Sequence, residues 1–394
     1  MEVLFKWRNV YINFFITIYV IDLFLFGGGR VVEFYGITLR MVLFSFALIL
    51  SLICLIESKS ISSNVAVFLL TFIVVLSYSS FVSVLDSNFN LNSVIAFSFV
   101  FIALFFTYYH DRFLKILIKL ISFSSFFMAS IYLLFLFLVV NGKFSIFDVY
   151  KFIPKSELFF RGEDGFVYKG FIYVMVGALY FVIVKNQSIY VRYIGFFVCL
   201  VATIATLTRG FVLSLVFVVF LFYLLKLKSI ALKYTIFIIF LSVIISFSIL
   251  HPELFLREGS DSTRINDIFA FISFLNDGGI DVLLGKGVSA YLGDRQSVEN
   301  AYMDTWIRFG FLGVLLLLIS FIKLTLDYRY IIKINLKSNI TNNSYYDWLY
   351  YSVLLIFIQS NFNPYINNYI GGTFFVFTLV HFDSIRNRLK LHHG

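Results

Sequence analysis

Three prolines and two cysteines in 394 residues already exclude several classes of protein. Cys54 and Cys199 both fall inside apolar runs, so neither a disulfide framework nor a cysteine-based metal centre is available, and both read as inert packing residues. Charged residues are scarce at 13%, roughly half the share carried by soluble globular domains. Ser/Gly-rich or Pro-rich tracts long enough to form a disordered linker are missing as well. No zinc motif, Walker loop or nucleotide fingerprint occurs, and His110, His251, His381, His392 and His393 show no ligand spacing. The expectation is a protein with no metal and no cofactor.

What fills the chain is apolar: 60% hydrophobic, 21% aromatic, with mean hydropathy +0.93. Crossing the hydrocarbon of a bilayer takes about 20 mainly apolar residues. Twelve segments qualify, near residues 10–26, 38–56, 62–85, 91–109, 113–140, 168–185, 189–207, 210–225, 231–250, 303–326, 347–362 and 369–384. The expected fold is an all-α polytopic membrane protein of about 12 transmembrane helices, a single integral membrane domain over 1–394. The first apolar run ends in Gly27-Gly28-Gly29-Arg30 without a small-residue cleavage site, so it is expected to remain as the first span.

The net charge of +9 does not indicate nucleic acid, because the 31 Lys and Arg are scattered among apolar segments and form no single basic face. Topology accounts for them: with the N-terminus inside, 18 of the 31 fall in inner loops, among them Lys6, Arg8, Arg112, Lys115, Lys119, Lys323, Arg386 and Arg388. Twelve spans with both termini cytoplasmic follow. Two outer segments are far longer than connectors need, 141–167 and 251–302, and long loops commonly carry function.

In the second loop, Ser260-Asp261-Ser262 is suited to cap a short helix on which Ile265, Ile268, Phe269, Ile272 and Leu275 share a face, so the helix is expected to lie along the membrane surface or cover a cavity. Arg264 would project from its first turn, either towards an anion or into an ion pair with Asp261 or Asp267. Gly285-Lys286-Gly287 predicts a tight turn with positive backbone angles first and a phosphate cradle second. Asn300, Asp304 and Arg308 fall four apart, predicting a structural Asp304–Arg308 pair, while Trp306 suits an interfacial belt. Glu299, at the loop-to-helix junction, is placed either as a general base or simply to favour the helix N-terminus.

Arg209 interrupts two apolar spans almost without a loop, in Thr206-Leu207-Thr208-Arg209-Gly210. It reads as a snorkelling cation or as an anion site whose planar guanidinium grips phosphate oxygens in pairs. In the first long loop Arg161 stands in a polar turn, Phe160-Arg161-Gly162-Glu163-Asp164-Gly165, followed by Tyr168 and Lys169 at the edge of the sixth span. Asp22 and His381, inside the first and last spans, read as helix-packing hydrogen bonds.

The order of these pieces resembles the O-antigen polymerase and ligase superfamily: Thr208-Arg209-Gly210, then Arg264 on a surface helix of a large late loop, Gly285-Lys286-Gly287, Asn300-Ala301-Tyr302 and Gly310-Phe311-Leu312-Gly313. Motif order covers about residues 160–315, and span count the whole chain. The resemblance implies a GT-C-like membrane glycosyltransferase of the bacterial inner membrane, with a large periplasmic loop carrying short surface helices. Its substrates would be an undecaprenyl-diphosphate-linked glycan donor and acceptor among the membrane lipids, with a chain-length regulator protein as a further candidate partner. Glu299 stands where ligases commonly carry His, which favours the O-antigen polymerase (Wzy) family over the ligases. On this reading Arg209, Arg264 and Glu299 are catalytic, and Arg161, Lys169, Lys286, Asn300 and Tyr302 bind substrate. The alternatives are a ligase, a lipid-linked oligosaccharide flippase or other transporter, and a structural membrane protein. The long outer loop, the sparse intramembrane charge and the lack of a repeat between halves argue against a transporter.

Overall fold

The computed structural model describes residues 2–57, 60–145, 148, 157–161, 165–250, 258–292, 295, 298–337 and 343–393. Helices dominate: α1 (Glu2–Leu25), α2 (Leu39–Ile56), α3 (Ser63–Leu85), α4 (Leu91–Phe97), α5 (Ala103–Val140), α6 (Ile172–Ile183), α7 (Ile189–Ala205), α8 (Arg209–Lys226) and α9 (Ile230–Leu250). They continue as α10 (Glu258–Asp277), α11 (Asp281–Leu284), α12 (Ala301–Lys337), α13 (Ser344–Gln359) and α14 (Tyr369–His393). Every apolar segment expected to span is helical. Side-chain oxygens of Thr38, Ser62 and Ser188 receive the N–H of Met41, Val65 and Val191, capping α2, α3 and α7.

Among the described residues, five helices are long and apolar enough to cross a membrane: Leu39–Ile56, Ser63–Leu85, Leu91–Val140, Arg209–Lys226 and Ala301–Asn335. Large apolar side chains stand exposed along α2, α3, α7, α8 and α9, among them Ile49, Leu70, Phe197, Val216 and Ile238. Apolar side chains turned outward all round a bundle are stable only against hydrocarbon, so the chain is a multi-pass membrane protein. The centre is different: α6 is buried along almost its whole length and packs with α5, α7 and α13, where Trp348 of α13 donates to the Val176 carbonyl at 3.0 Å.

Three expectations of topology need correction. The fourth and fifth spans form one helical run through Arg112, so Arg112, Lys115 and Lys119 sit on α5 and in no loop. At about 1.5 Å per residue its 38 residues reach about 57 Å, well beyond the ~30 Å hydrocarbon. Second, α12 and α14 run past their apolar windows because their polar ends meet: Asp383 accepts from Ser62, Asn64 and Lys323, and Asp327 pairs with Lys323 and Arg386. These cations were expected in loops; the structure pairs them between helices. Third, the fold is not purely α. Two short antiparallel hairpins occur, β1 (Glu33–Phe34) with β2 (Ile37–Thr38), and β3 (Leu158–Arg161) with β4 (Gly165–Tyr168). The second pairs Phe159 with Val167 and Phe160 with Phe166, aromatic and branched residues that favour strands.

Asp22 and His381 are packing residues as expected: Asp22 pairs with Arg40 at 2.8 Å, and His381 lies 2.9 Å from His110 through their Nδ1 atoms. Cys54 and Cys199 are buried free thiols.

Candidate functional site

α10 carries two faces of opposite use. Ile265, Ile268, Phe269 and Ile272 are exposed, as expected of a helix lying along a membrane surface. On the other side Arg264, Asp267, Phe271 and Phe274 fall at helical spacing and meet the protein: Asp267 receives Arg295 at 2.8 Å, Phe271 packs edge-on to Trp306, and Arg264 donates to Glu299 at 3.0 Å. The helix begins at Glu258, so Ser260-Asp261-Ser262 lie within it and do not cap it. Arg264 pairs with Glu299, brought in from the far end of the same long segment.

Gly285 and Gly287 take positive φ angles of +87° and +98°, forming the expected tight turn. The turn serves packing. A Cβ on Gly285 would stand 2.6 Å from the Gly310 nitrogen, and one on Gly287 would stand 2.9 Å from the Ser83 nitrogen. The amides of Lys286, Val288 and Ser289 donate to Ile307, Ser79 and Ser83, which fastens the turn to α3 and α12. The Lys286 ammonium lies 5.1 Å from the centre of the Phe274 ring. Gly310 breaks α12 at φ +67°, letting the turn pass. Trp306 donates its indole N–H to the Val282 carbonyl at 2.8 Å, so it ties α11 to α12.

Asn300 caps α12 by accepting from Tyr302 and Met303, and the Tyr302 hydroxyl donates to the Phe357 carbonyl at 2.7 Å. The Asp304–Arg308 pair forms as expected, at 2.8 Å with both side chains buried.

These segments converge on a cavity of about 480 Å³ lined by Gly28, Arg40, Lys169, Arg295, Val298, Glu299, Asn363, Pro364, Tyr365, Asn368, Tyr369 and Ile370. Three cations and one carboxylate therefore face a single space. Arg40 is the most constrained. Its Nε donates to Asp22 Oδ2, its Nη2 to the Asp22 carbonyl at 3.1 Å, and its guanidinium lies 4.7 Å from the centre of the Tyr369 ring. Its remaining terminal nitrogen, Nη1, is buried with no hydrogen-bond partner among the described residues. A buried guanidinium N–H left unmet is costly, and an anionic oxygen in the cavity would meet it.

The glycines after α1 build one wall. Gly28 and Arg30 donate their amides to the buried Glu157 carboxylate at 2.6 and 3.0 Å, and the Tyr168 hydroxyl donates to the Leu25 carbonyl at 2.7 Å. A side chain on Gly28 would collide with Glu157.

Of the residues singled out in the sequence, Lys169 and Glu299 line this cavity and Arg264 reaches it through Glu299. Arg209, Lys286, Asn300 and Tyr302 are not among its lining residues. Arg209 opens α8 beside Gly210, which packs on the Phe362 ring, and Phe211, whose ring lies 6.2 Å from that of Tyr365. Arg161 ends β3 opposite Gly165; its side chain and residues 162–164 lie outside the described residues. Arg40, Arg295 and Asn368 were missed. The signals for the first were an arginine heading a span and an aspartate inside the preceding one, which together announce a buried pair.

His110, Asp111 and His381 also come together, which their spacing in the sequence did not announce. Arg388 Nη2 stands 2.9 Å from His110 Nε2 and donates to Asp111 at 2.8 Å. A guanidinium in that position leaves Nε2 of His110 as acceptor and puts its proton on Nδ1, facing His381. The group is thus a hydrogen-bonded chain.

No family model matches the chain. Over 320 residues, 77% of this chain and 80% of the relative, it is 27% identical to an O-antigen polymerase of Shigella flexneri. The resemblance seen in its motifs is thereby borne out: the chain is similar to an O-antigen polymerase.

Proposed function

We propose that the protein is a membrane-integral glycosyltransferase that polymerises undecaprenyl-diphosphate-linked repeat units on the periplasmic face of the bacterial inner membrane. Its apolar helices would cross the bilayer, with the segments 141–167 and 251–302 outside. The observation that carries the reading is the cavity holding Arg40, Lys169 and Arg295 opposite Glu299, with Arg40 Nη1 unmet. Cations fixed around a recessed space suit a diphosphate, and they stabilise charge that develops on it without reorganising.

In the step proposed, a hydroxyl of the incoming repeat unit attacks the anomeric carbon that joins the growing glycan to its lipid diphosphate. Glu299 takes the hydroxyl proton, a new C–O bond forms, and the bond to the phosphate oxygen breaks. The electron pair leaves with undecaprenyl diphosphate, held by the cavity's cations. Arg264 orients the Glu299 carboxylate through the 3.0 Å hydrogen bond. Arg209 and Arg161, at the neighbouring segment ends, serve the diphosphate as it enters, and a chain-length regulator would act from outside the cavity.

Deletion of the chain tests the class of activity: a polymerase defect leaves one exported repeat ligated to lipid A-core. A flippase defect strands the repeat on the cytoplasmic leaflet, and an unchanged polysaccharide ladder removes the enzyme reading. In the complemented strain, Lys169→Ala is expected to remove long chains while membrane levels stay normal.

A further inference from the structure

A second pocket of about 370 Å³ abuts the basic cavity, and the two share Pro364 and Asn368. Its remaining polar walls are Asn90, Asn92, Ser93 and Asn367, with Asp304 and Arg308 behind. The chemistry differs from that of the first cavity. Arg308 is bound to Asp304 and to the Val288 carbonyl, and Asp304 receives Asn367 at 3.0 Å, so the two buried charges neutralise each other. What is left to a ligand is neutral. Asn368 uses its carbonyl oxygen to cap α14 through Ile370 and Gly371, leaving its amide nitrogen. Asn90 likewise uses its carbonyl oxygen on the Asn92 amide. The carboxamide of Asn92 is exposed at the first turn of α4, and Phe97 adds an apolar face.

Asn367 is already spent on Ala301, Asp304 and Thr305, so the amide nitrogens of Asn90 and Asn368 and the whole carboxamide of Asn92 remain, and neutral amides beside an aromatic face match a polyhydroxylated ring better than a phosphate. We propose that this asparagine-lined pocket binds the hydroxyls of a neutral sugar of the lipid-linked glycan, next to the diphosphate held in the basic cavity. The inference rests on the transferase reading. It adds a place where glycan is gripped by groups other than cations.

The test uses the full chain in detergent with two probes, inorganic pyrophosphate and the free oligosaccharide repeat of the strain's own polysaccharide, read by saturation-transfer NMR and titration. The oligosaccharide is expected to bind in the presence of saturating pyrophosphate. Asn92→Trp, which fills the pocket from an exposed position, is expected to weaken it at least about tenfold while leaving pyrophosphate binding unchanged, and Asn92→Ala to weaken it less. Displacement of the oligosaccharide by pyrophosphate, or wild-type affinity in both variants, overturns the proposal and leaves the transferase reading standing. Failure of both probes to bind sinks the transferase reading itself.

Discussion

Arg264 and Glu299, 35 positions apart, are joined by a 3.0 Å hydrogen bond from the guanidinium Nε to the carboxylate, with each side chain 35% exposed. An ion pair so open to solvent contributes about 0–1 kcal/mol to stability, so its geometry matters more for what the carboxylate does than for holding the fold. Glu299→Gln and Arg264→Ala are each expected to lower polymer output at least about tenfold, roughly 1.4 kcal/mol of transition-state stabilisation, with melting temperature close to wild type. The exchanged pair, Arg264→Glu with Glu299→Arg, restores the salt bridge and is expected to stay inactive on glycan ladders. Recovery of polymer in the exchanged pair would make the interaction purely structural.

Asp22 and Arg40 behave in the opposite way, since both are buried. Asp22→Ala leaves a guanidinium without its carboxylate in the interior, at a cost of about 3–5 kcal/mol. The loss is expected as reduced membrane abundance and a lowered melting temperature of the purified protein. Asp22→Ala with Arg40→Leu removes both charges and is expected to regain much of that stability without regaining polymer. A stable Asp22→Ala protein would contradict the burial of this pair.

Gly285 and Gly310 touch across the break in α12, both at positive φ. Alanine at Gly285 would carry the left-handed penalty of roughly 1–2 kcal/mol and would also press against the Gly310 backbone, which cannot rotate away. Limited proteolysis of the 258–300 segment is expected to accelerate in Gly285→Ala, while Gly279→Ala, whose Cβ would meet nothing within 4 Å, changes it far less. Equal protease resistance in the two variants would show that the close approach is dispensable.

Arg209 is expected to act on the diphosphate from beside the cavity. Arg209→Ala should remove long glycan chains while the protein still inserts at normal level, measured by ladder gels and membrane immunoblots. Normal-length polymer would leave Arg209 as a boundary cation only.

The helical segments, the surface helix with its apolar outer face, the Gly-x-Gly turn and the Asp304–Arg308 pair were legible because each rests on spacing within a few residues, where helix period or turn chemistry decides the outcome. The Arg264–Glu299 pair was not legible for the same reason. Asp261 and Asp267 lie within one helical turn, so local reasoning favours them, but the helix directs Arg264 and Asp267 inward, where Glu299 and Arg295 arrive from 28 or more residues away. The continuous α5 was misread because polar residues near His110 look like a loop when the side chains they meet on α14 are out of sight.

Composition and periodicity by themselves determined that this chain lives in a bilayer, that it is nearly all helix, and which short motifs to watch. Those properties follow from hydration and backbone geometry acting over a turn or two. Only the folded arrangement decided that Arg40, Lys169, Arg295 and Glu299 share one space, because their separations of up to 259 positions are closed by helix packing. Charges brought together that way reflect which helix ends meet, a relation that one-dimensional spacing does not contain.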